Sequence, residues 1–317
     1  MTEGRKRRGR ALDGILLLDK PAGMTSNGVL QRVKRLYGAA KAGHTGALDP
    51  LATGMLPIAF GEAAKFSQFL LDADKRYLTT AKLGIRTDSS DADGVTVETR
   101  PVPVLNEAQM IALLEAHFSG EIEQVPSMFS ALKHHGQPLY KLARKGIQVE
   151  VKPRCVTLFH CRLTALREDE IELDIRCSKG TYIRSIVEDL GLLLGCGAHV
   201  QQLRRLDAGP YKAEQMITLD ALQDMAVEQP QDDGEKGIQD RLDTLLLPVT
   251  SALGDLPSLA LDADQAQRVL MGQRLALPEQ APVELTKLIA RDTGVFLGIA
   301  EISDDRVLRP RRLLATG

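Results

Sequence analysis

Apolar and polar positions divide this chain into short segments of two periodicities. Residues 14–19 (Gly-Ile-Leu-Leu-Leu-Asp) form an apolar run stopped by Lys20-Pro21-Ala22-Gly23, which predicts a buried strand and a turn. Ser26 then stands where a helix N-cap is expected. Val29, Leu30, Val33, Leu36 and Tyr37 follow on one stripe, with Arg32 and Arg35 as neighbours on the other face. Residues 41–61 hold four glycines and two prolines and read as a long irregular stretch. Residues 75–83 predict a strand and residues 105–118 an amphipathic helix. The clearest strand is 171–177, apolar and polar by strict turns, as expected of one buried and one wet face. It runs through Ser178-Lys179-Gly180-Thr181 into a helix carrying Ile183, Ile186, Val187 and Leu190 at 3.6-residue spacing. Strands and helices mix without regular βαβ alternation. The fold class is therefore α+β, with a mostly antiparallel mixed central sheet and flanking helices.

A length of 317 residues exceeds one ordinary core. The expected division is a basic tail over 1–11, a catalytic-sized domain over 12–247 and a small C-terminal domain over 248–317. A helix after Leu219 should lead into an acidic surface loop over 228–235. No apolar run approaches the roughly 18 residues of a membrane span, and the basic N-terminus lacks a signal-peptide core, so a cytoplasmic protein is expected. Cys155, Cys161, Cys177 and Cys196 form no CxxC pair and have no histidine at zinc-ligand spacing. They read as reduced packing residues, and no metal is expected.

The net charge of −2 conceals an uneven distribution. Residues 219–264 hold eleven acidic side chains against Lys236 and Arg241, whereas residues 1–50 hold ten Lys or Arg against Glu3, Asp13, Asp19 and Asp49. That asymmetry fits a phosphate-binding face opposite a solvated one, and equally a soluble surface without a partner.

The most unusual stretch is 43–54, Gly-His-Thr-Gly-Ala-Leu-Asp-Pro-Leu-Ala-Thr-Gly. It is neither a P-loop, since no Lys-Ser/Thr follows the glycines, nor a GxGxxG turn. It is a glycine-hinged loop presenting His44 and Asp49, with Pro50 stiffening the backbone after the carboxylate. On these residues alone Asp49 is either a reactive carboxylate or a turn former.

This stretch, with Leu17-Leu18-Asp19-Lys20-Pro21 before it, resembles the signature of the TruB family of tRNA pseudouridine-55 synthases. Three further blocks are similar: 74–77 (Asp-Lys-Arg-Tyr), 177–184 (Cys-Ser-Lys-Gly-Thr-Tyr-Ile-Arg) and 195–206 (Gly-Cys-Gly-Ala-His-Val-Gln-Gln-Leu-Arg-Arg-Leu). Residues 126–133 also match, with Phe129 where the bacterial pattern often has Tyr. The resemblance covers about 12–206 in order and spacing. It fades toward the C-terminus, where 272–275 and 309–313 only faintly resemble a small PUA-like RNA-binding domain.

The resemblance implies isomerisation of one tRNA uridine, in the T-arm loop, to pseudouridine, with no cofactor. It makes Asp49 the catalytic carboxylate and Arg184 the cation beside it. Tyr77 is the stacking platform for a flipped base, Tyr182 a pocket wall and Leu203 the residue that closes the pocket. His44 becomes a wedge entering the RNA loop, and Lys20 and Pro21 support the pocket wall. Without the resemblance, Arg184 would be an exposed helix residue paired with Glu188 at i+4, Tyr77 and Tyr182 core residues, and His44 simply exposed. The implied partner is the tRNA T-arm stem-loop, met by a monomer that requires no protein partner and is also able to act as a tRNA-folding chaperone. The competing readings are a non-catalytic RNA chaperone or binding module and a pseudouridine synthase for another RNA.

Overall fold

The computed structural model describes residues 9–315 apart from 131, 148 and 228–233. The chain opens with β1 (Gly14–Lys20), α1 (Ser26–Leu36), β2 (Ala42–His44), β3 (Thr53–Phe60), α2 (Ser67–Asp72) and β4 (Lys75–Leu83). A hairpin of β5 (Ile85–Thr87) and β6 (Thr96–Thr99) precedes α3 (Glu107–His117) and β7 (Gly120–Gln124). A second hairpin, β8 (Lys133–His134) and β9 (Gln137–Pro138), runs into α4 (Leu139–Ala143). Next come the long pair β10 (Arg154–Leu166) and β11 (Glu170–Cys177), then α5 (Ile183–Leu193), β12 (Ala198–Ala208), β13 (Ile217–Thr218), α6 (Leu219–Val227) and α7 (Gly234–Asp243). The last stretch holds β14 (Ser258–Leu261), α8 (Ala263–Leu270), β15 (Leu275–Ala276), β16 (Val283–Ala290), β17 (Phe296–Ile302) and β18 (Val307–Leu313).

The central sheet has nine strands in the order β13-β1-β3-β12-β4-β11-β10-β7, with β2 beside β3. Only β1 with β13 and β3 with β12 run parallel, so the α+β expectation of a mostly antiparallel mixed sheet holds. The alternation at 171–177 is β11: Ile171, Leu173 and Ile175 are fully buried and Arg176 is exposed. The expected strand at 75–83 is β4.

Two local expectations are corrected. Residues 41–61 are not irregular throughout, because β2 and β3 lie within them. In β3 the side chains go both ways into protein: Ile58 and Phe60 pack with Val29, Val33 and Tyr37 of the α1 side, Met55 and Ala59 with Leu70 and Tyr211. Burial of both faces erases the period-2 signal. Pro57 is tolerated because its carbonyl side faces Thr45 (N to O 3.0 Å) just past the β2 ladder, so the missing N–H removes no bond to β1. The cap of α1 is Thr25, which accepts from Gly28 N at 3.0 Å. Ser26 is buried instead, with its hydroxyl turned to the loop that carries Asp49.

The helix expected over 105–118 is α3, capped by Asn106. The acidic loop expected over 228–235 lies mostly outside the described residues, as does most of the basic tail. Arg10, at the end of that tail, forks onto Asp243 of α7 at 2.6 and 2.8 Å, so part of the basic segment is tied to the acidic one rather than facing away from it. All four cysteines are free, but Cys155 is exposed on β10 and is not a packing residue. Among the described residues no helix is long and apolar enough to cross a membrane.

The C-terminal β half-barrel has its own five-stranded sheet, β14-β16-β17-β18-β15, around Val269, Leu288, Ala300 and Leu308. It docks on the turn after β3: Phe66, Leu253 and Ile299 form a shared cluster, and the rings of Phe66 and Phe296 lie 5.5 Å apart.

Candidate active site

The Asp49 loop hangs between β2 and β3 and is fastened from three elements. Ser26 of α1 brackets Leu48, donating from Oγ to its carbonyl (3.0 Å) and accepting from its N–H (2.8 Å). Lys20, at the end of β1 and wholly buried, donates through Nζ to the carbonyls of Pro21 (2.9 Å), Met24 (2.6 Å) and Pro50 (3.2 Å). A buried ammonium satisfied only by neutral carbonyls is costly to keep charged, and burial pushes the Lys20 pKa down to about 8. Arg205 of β12 donates to Gly46 O (2.9 Å) and Met55 O (2.6 Å), one on each side of Asp49.

The loop delivers Asp49 to a pocket of about 300 Å³ whose wall includes Tyr77, Tyr182, Arg184, Leu203 and Arg205. Tyr77 comes from β4 and Leu203 from the neighbouring β12. Tyr182 and Arg184 come from the start of α5, where Gln124 of β7 clamps the backbone of Tyr182 by two bonds, 2.7 Å to its N–H and 2.9 Å to its carbonyl. Arg184 is 3% exposed and meets Asp49 side on, Nη2 to Oδ1 at 3.3 Å and Nε to Oδ2 at 3.0 Å. The Nε hydrogen is not aimed at the carboxylate, so this second contact is one of charge more than of hydrogen bonding. Arg184 does not pair with Glu188, which binds Arg86 and Ser90 instead.

Sequence reasoning missed the partners that hold Arg184 from behind. The turn between β5 and β6 offers it the Ser89 carbonyl (Nη1, 3.0 Å) and the buried carboxylate of Asp91 (3.4 Å), while Phe129 O takes Nη2 at 3.1 Å. The run 87–94, with three acids and two serines, carried the only signal, and it reads as a polar turn. Ser130 also lines the pocket, and its Oγ is buried without a partner among the described residues.

The electrostatics are opposed around one carboxylate. Enclosure by protein raises the pKa of Asp49 and nearby Asp91 adds to the rise, while Arg184 and, more weakly, Lys20 pull it down. Tyr77, 9% exposed, has its hydroxyl pKa raised by burial against the pull of Arg205. Among the expected site residues, Asp49, Tyr77, Tyr182, Arg184 and Leu203 share the pocket. His44 sits half-buried on β2 outside its lining, with Nδ1 unpartnered among the described residues. Lys20 and Pro21 lie behind the loop. Among the described residues no cluster of His, Cys, Asp or Glu is placed to hold a metal ion.

Three family models match the chain in succession. The TruB family pseudouridylate synthase N-terminal domain covers residues 34–183, the tRNA pseudouridylate synthase B C-terminal domain 184–254, and the C-terminal model of pseudouridine synthase II TruB 257–314. The tRNA pseudouridine synthase B of Sodalis glossinidius (strain morsitans) is 55% identical over 309 residues, 98% of this chain and 97% of the relative. That of Vibrio cholerae serotype O1 (strain M66-2) is 50% identical over 313 residues, 99% of each. Among solved structures, a chain from the crystal structure of a Cbf5-Nop10-Gar1 complex is similar, with TM-score 0.72 and 25% identity over 95% of this chain and 84% of that one. The successive family models define the class as a pseudouridine synthase. Within that class the chain belongs to the TruB family of pseudouridylate synthases.

Proposed function

We propose that this chain isomerises the uridine at position 55, in the T-arm loop of tRNA, to pseudouridine, with Asp49 as the essential carboxylate. Its activity as an isomerase of tRNA uridines follows from relatives at 50–55% identity that carry the name tRNA pseudouridine synthase B. The observation that carries the assignment of the site is the Asp49–Arg184 pair, held in a pocket with two tyrosines and a leucine. The reaction breaks N1–C1′, turns the uracil and joins C5 to C1′. Nothing is oxidised and no group is gained, so no cofactor is needed. What it requires is an ionised carboxylate beside the sugar and base, and walls that retain the base while it is detached.

The target base leaves its stack and enters the pocket, at a cost of a few kcal/mol. Stacking on Tyr77 offsets about 1–3 kcal/mol of that. Tyr182 walls the pocket and Leu203 closes over the base. His44, at the edge of the site, fills the space the base leaves in the RNA loop. Lys20 keeps the Asp49 loop in place by holding the Pro50 carbonyl, and Pro21, whose own carbonyl also accepts from Lys20, supports the wall behind it. The protein acts as a monomer in the cytoplasm, and by unfolding the T-arm loop it also assists tRNA folding. The C-terminal half-barrel serves as a PUA-like RNA-binding unit, with the domain boundary near residue 248.

A pseudouridine map of an unmodified tRNA transcript, run beside Asp49→Asn, tests this. One new pseudouridine in the T-arm loop is expected with the native protein and none with the variant, although the variant still binds the RNA. Turnover by Asp49→Asn would remove Asp49 from the chemistry, and modification elsewhere in the RNA would displace the T-arm assignment.

A further inference from the structure

Arg205 fastens the Asp49 loop but has no part in the chemistry described so far. Arg205 is 2% exposed and lines the same pocket as Asp49 and Tyr77. It stands two residues after Leu203 on β12, so both side chains leave the strand on the pocket face. Its two hydrogen bonds, to Met55 O and Gly46 O, go to neutral carbonyls. Among the described residues no carboxylate lies within ion-pair distance of it, whereas Arg184 has both Asp49 and Asp91. Taking a guanidinium out of water without a counter-charge is unfavourable. A folded protein holds such a group in a reaction pocket with most effect where negative charge will arrive later.

The isomerisation supplies that charge. When N1–C1′ breaks, the bonding pair stays with N1, and the uracil becomes an anion spread over its ring nitrogens and carbonyl oxygens. C1′ is left short of electrons, to be met by the Asp49 carboxylate or relieved by loss of a ribose proton. When C5 attacks C1′, the pair returns to a carbon–carbon bond, C5 gives up its proton and N1 takes one up. If Asp49 instead adds to the uracil ring, the pair displaced from the C5–C6 double bond also runs onto the base carbonyls. Every route passes through a negatively charged base. Asp49 and Asp91 oppose that charge, and Arg184 is already engaged by both.

We propose that Arg205 is a catalytic residue that stabilises the detached or adducted uracil anion, remaining protonated throughout. The inference rests on the pseudouridine synthase reading of this pocket. In kind it is the role of an oxyanion hole, where the donor is fixed before the charge develops. Its position also orders the neighbours: the same guanidinium acts on Tyr77, on Lys20 and on Lys75, as a positive centre in the wall should.

The test compares Arg205→Met, Arg205→Lys and the native protein in single-turnover reactions on a T-arm stem-loop RNA. The target is uridine or 5-fluorouridine, read as disappearance of the target nucleoside, with RNA affinity and melting temperature measured alongside. Fluorine makes the base a more stable anion that needs less help. With uridine, Arg205→Met should fall about 100-fold while binding the RNA nearly as well, and Arg205→Lys should recover roughly a tenth of the native rate or better. With 5-fluorouridine the Arg205→Met deficit should shrink by about tenfold. An equal deficit with both bases would overturn the proposal and leave Arg205 as a brace for the Gly46 carbonyl. So would Arg205→Lys doing no better than Arg205→Met. Should Arg205→Met fail to fold, Arg205→Lys against the native protein gives the same comparison of the two bases. A native protein inactive on uridine would instead remove the function on which the inference rests.

Discussion

In its proposed role as the reacting carboxylate Asp49 has to be ionised, yet the protein around it favours its proton. The working form is lost as pH falls through a pKa raised above the usual carboxylate value, so the acid limb of the rate profile should lie at higher pH than an ordinary aspartate would set. Arg184→Met removes the largest influence that lowers this pKa and should move the limb further up. Single-turnover rates measured across pH check this, and an unmoved limb would deny the electrostatic coupling. The linkage has a stability consequence of fixed sign. Because folding raises the pKa, the folded chain binds this proton more tightly than the unfolded one. Stability attributable to Asp49 is therefore full below the usual value and declines as pH rises toward the raised one. Asp49→Asn should melt no lower than the native protein at neutral pH. For Tyr77, loss of the ring matters more than loss of the hydroxyl if stacking dominates. Tyr77→Phe should then keep most of the rate, and Tyr77→Leu should lose about 10-fold or more. Equal losses would point to the hydroxyl.

At the level of elements, the site is a junction of β1, β4, β7, β12 and α5 with two loops, and the joints are specific. Gln124 ties the entry of α5 to β7, and it is 2% exposed. Gln124→Ala strands the Tyr182 N–H and carbonyl and should cost about 1–3 kcal/mol, measured by denaturant unfolding, with a fall in rate as Tyr182 loses its place. Gly54 marks the place where β3 meets β12. Its φ of +97° disfavours a side chain, and a methyl there would collide with the Arg205 backbone. Gly54→Ala should destabilise by at least about 1–3 kcal/mol. These joints explain what could be foreseen. Segments with one wet face, such as β4, β11 and the α5 stripe, show their period in the sequence, and motif resemblance placed five pocket residues. β3 was hidden because both its faces are buried. Asp91 was hidden because its importance comes from a turn 93 residues away from Arg184 in the chain. Arg205 lay inside a recognised block, but nothing in a sequence shows that a charged residue has no carboxylate beside it among the described residues.

For the whole molecule, the half-barrel is more than an appendage. Besides the Phe66 cluster, Lys65 Nζ donates to Leu313 O at 2.9 Å and Ala315 N to Glu62 Oε2 at 2.7 Å. The turn it covers joins the strand after the Asp49 loop to the helix before Tyr77. A chain ending at residue 254 would expose Phe66 and Phe69 and should melt several degrees lower, even where it still modifies RNA. Scanning calorimetry of the truncated and full chains reads this directly, and an unchanged Tm would make the contact energetically idle. Charge acts at the same scale. Arg32 and Arg35 of α1 stay exposed although Arg10 is neutralised by Asp243, so tRNA affinity should fall steeply as salt rises. A flat dependence measured by filter binding would deny phosphate contacts a leading part.

The placement of β12 between β3 and β4 bears on how the protein is born. As the chain leaves the ribosome, the strands that flank the pocket emerge more than a hundred residues before the one that fills the slot between them. Until then β3 and β4 present open edges, Gly46 lacks its clasp and Asp49 has no completed wall. A nascent chain ending before Ala198 therefore carries the proposed reacting carboxylate without the pocket around it. Assembly of the catalytic unit is a late event in synthesis, when the emerging polypeptide is most in need of protection from edge-to-edge association.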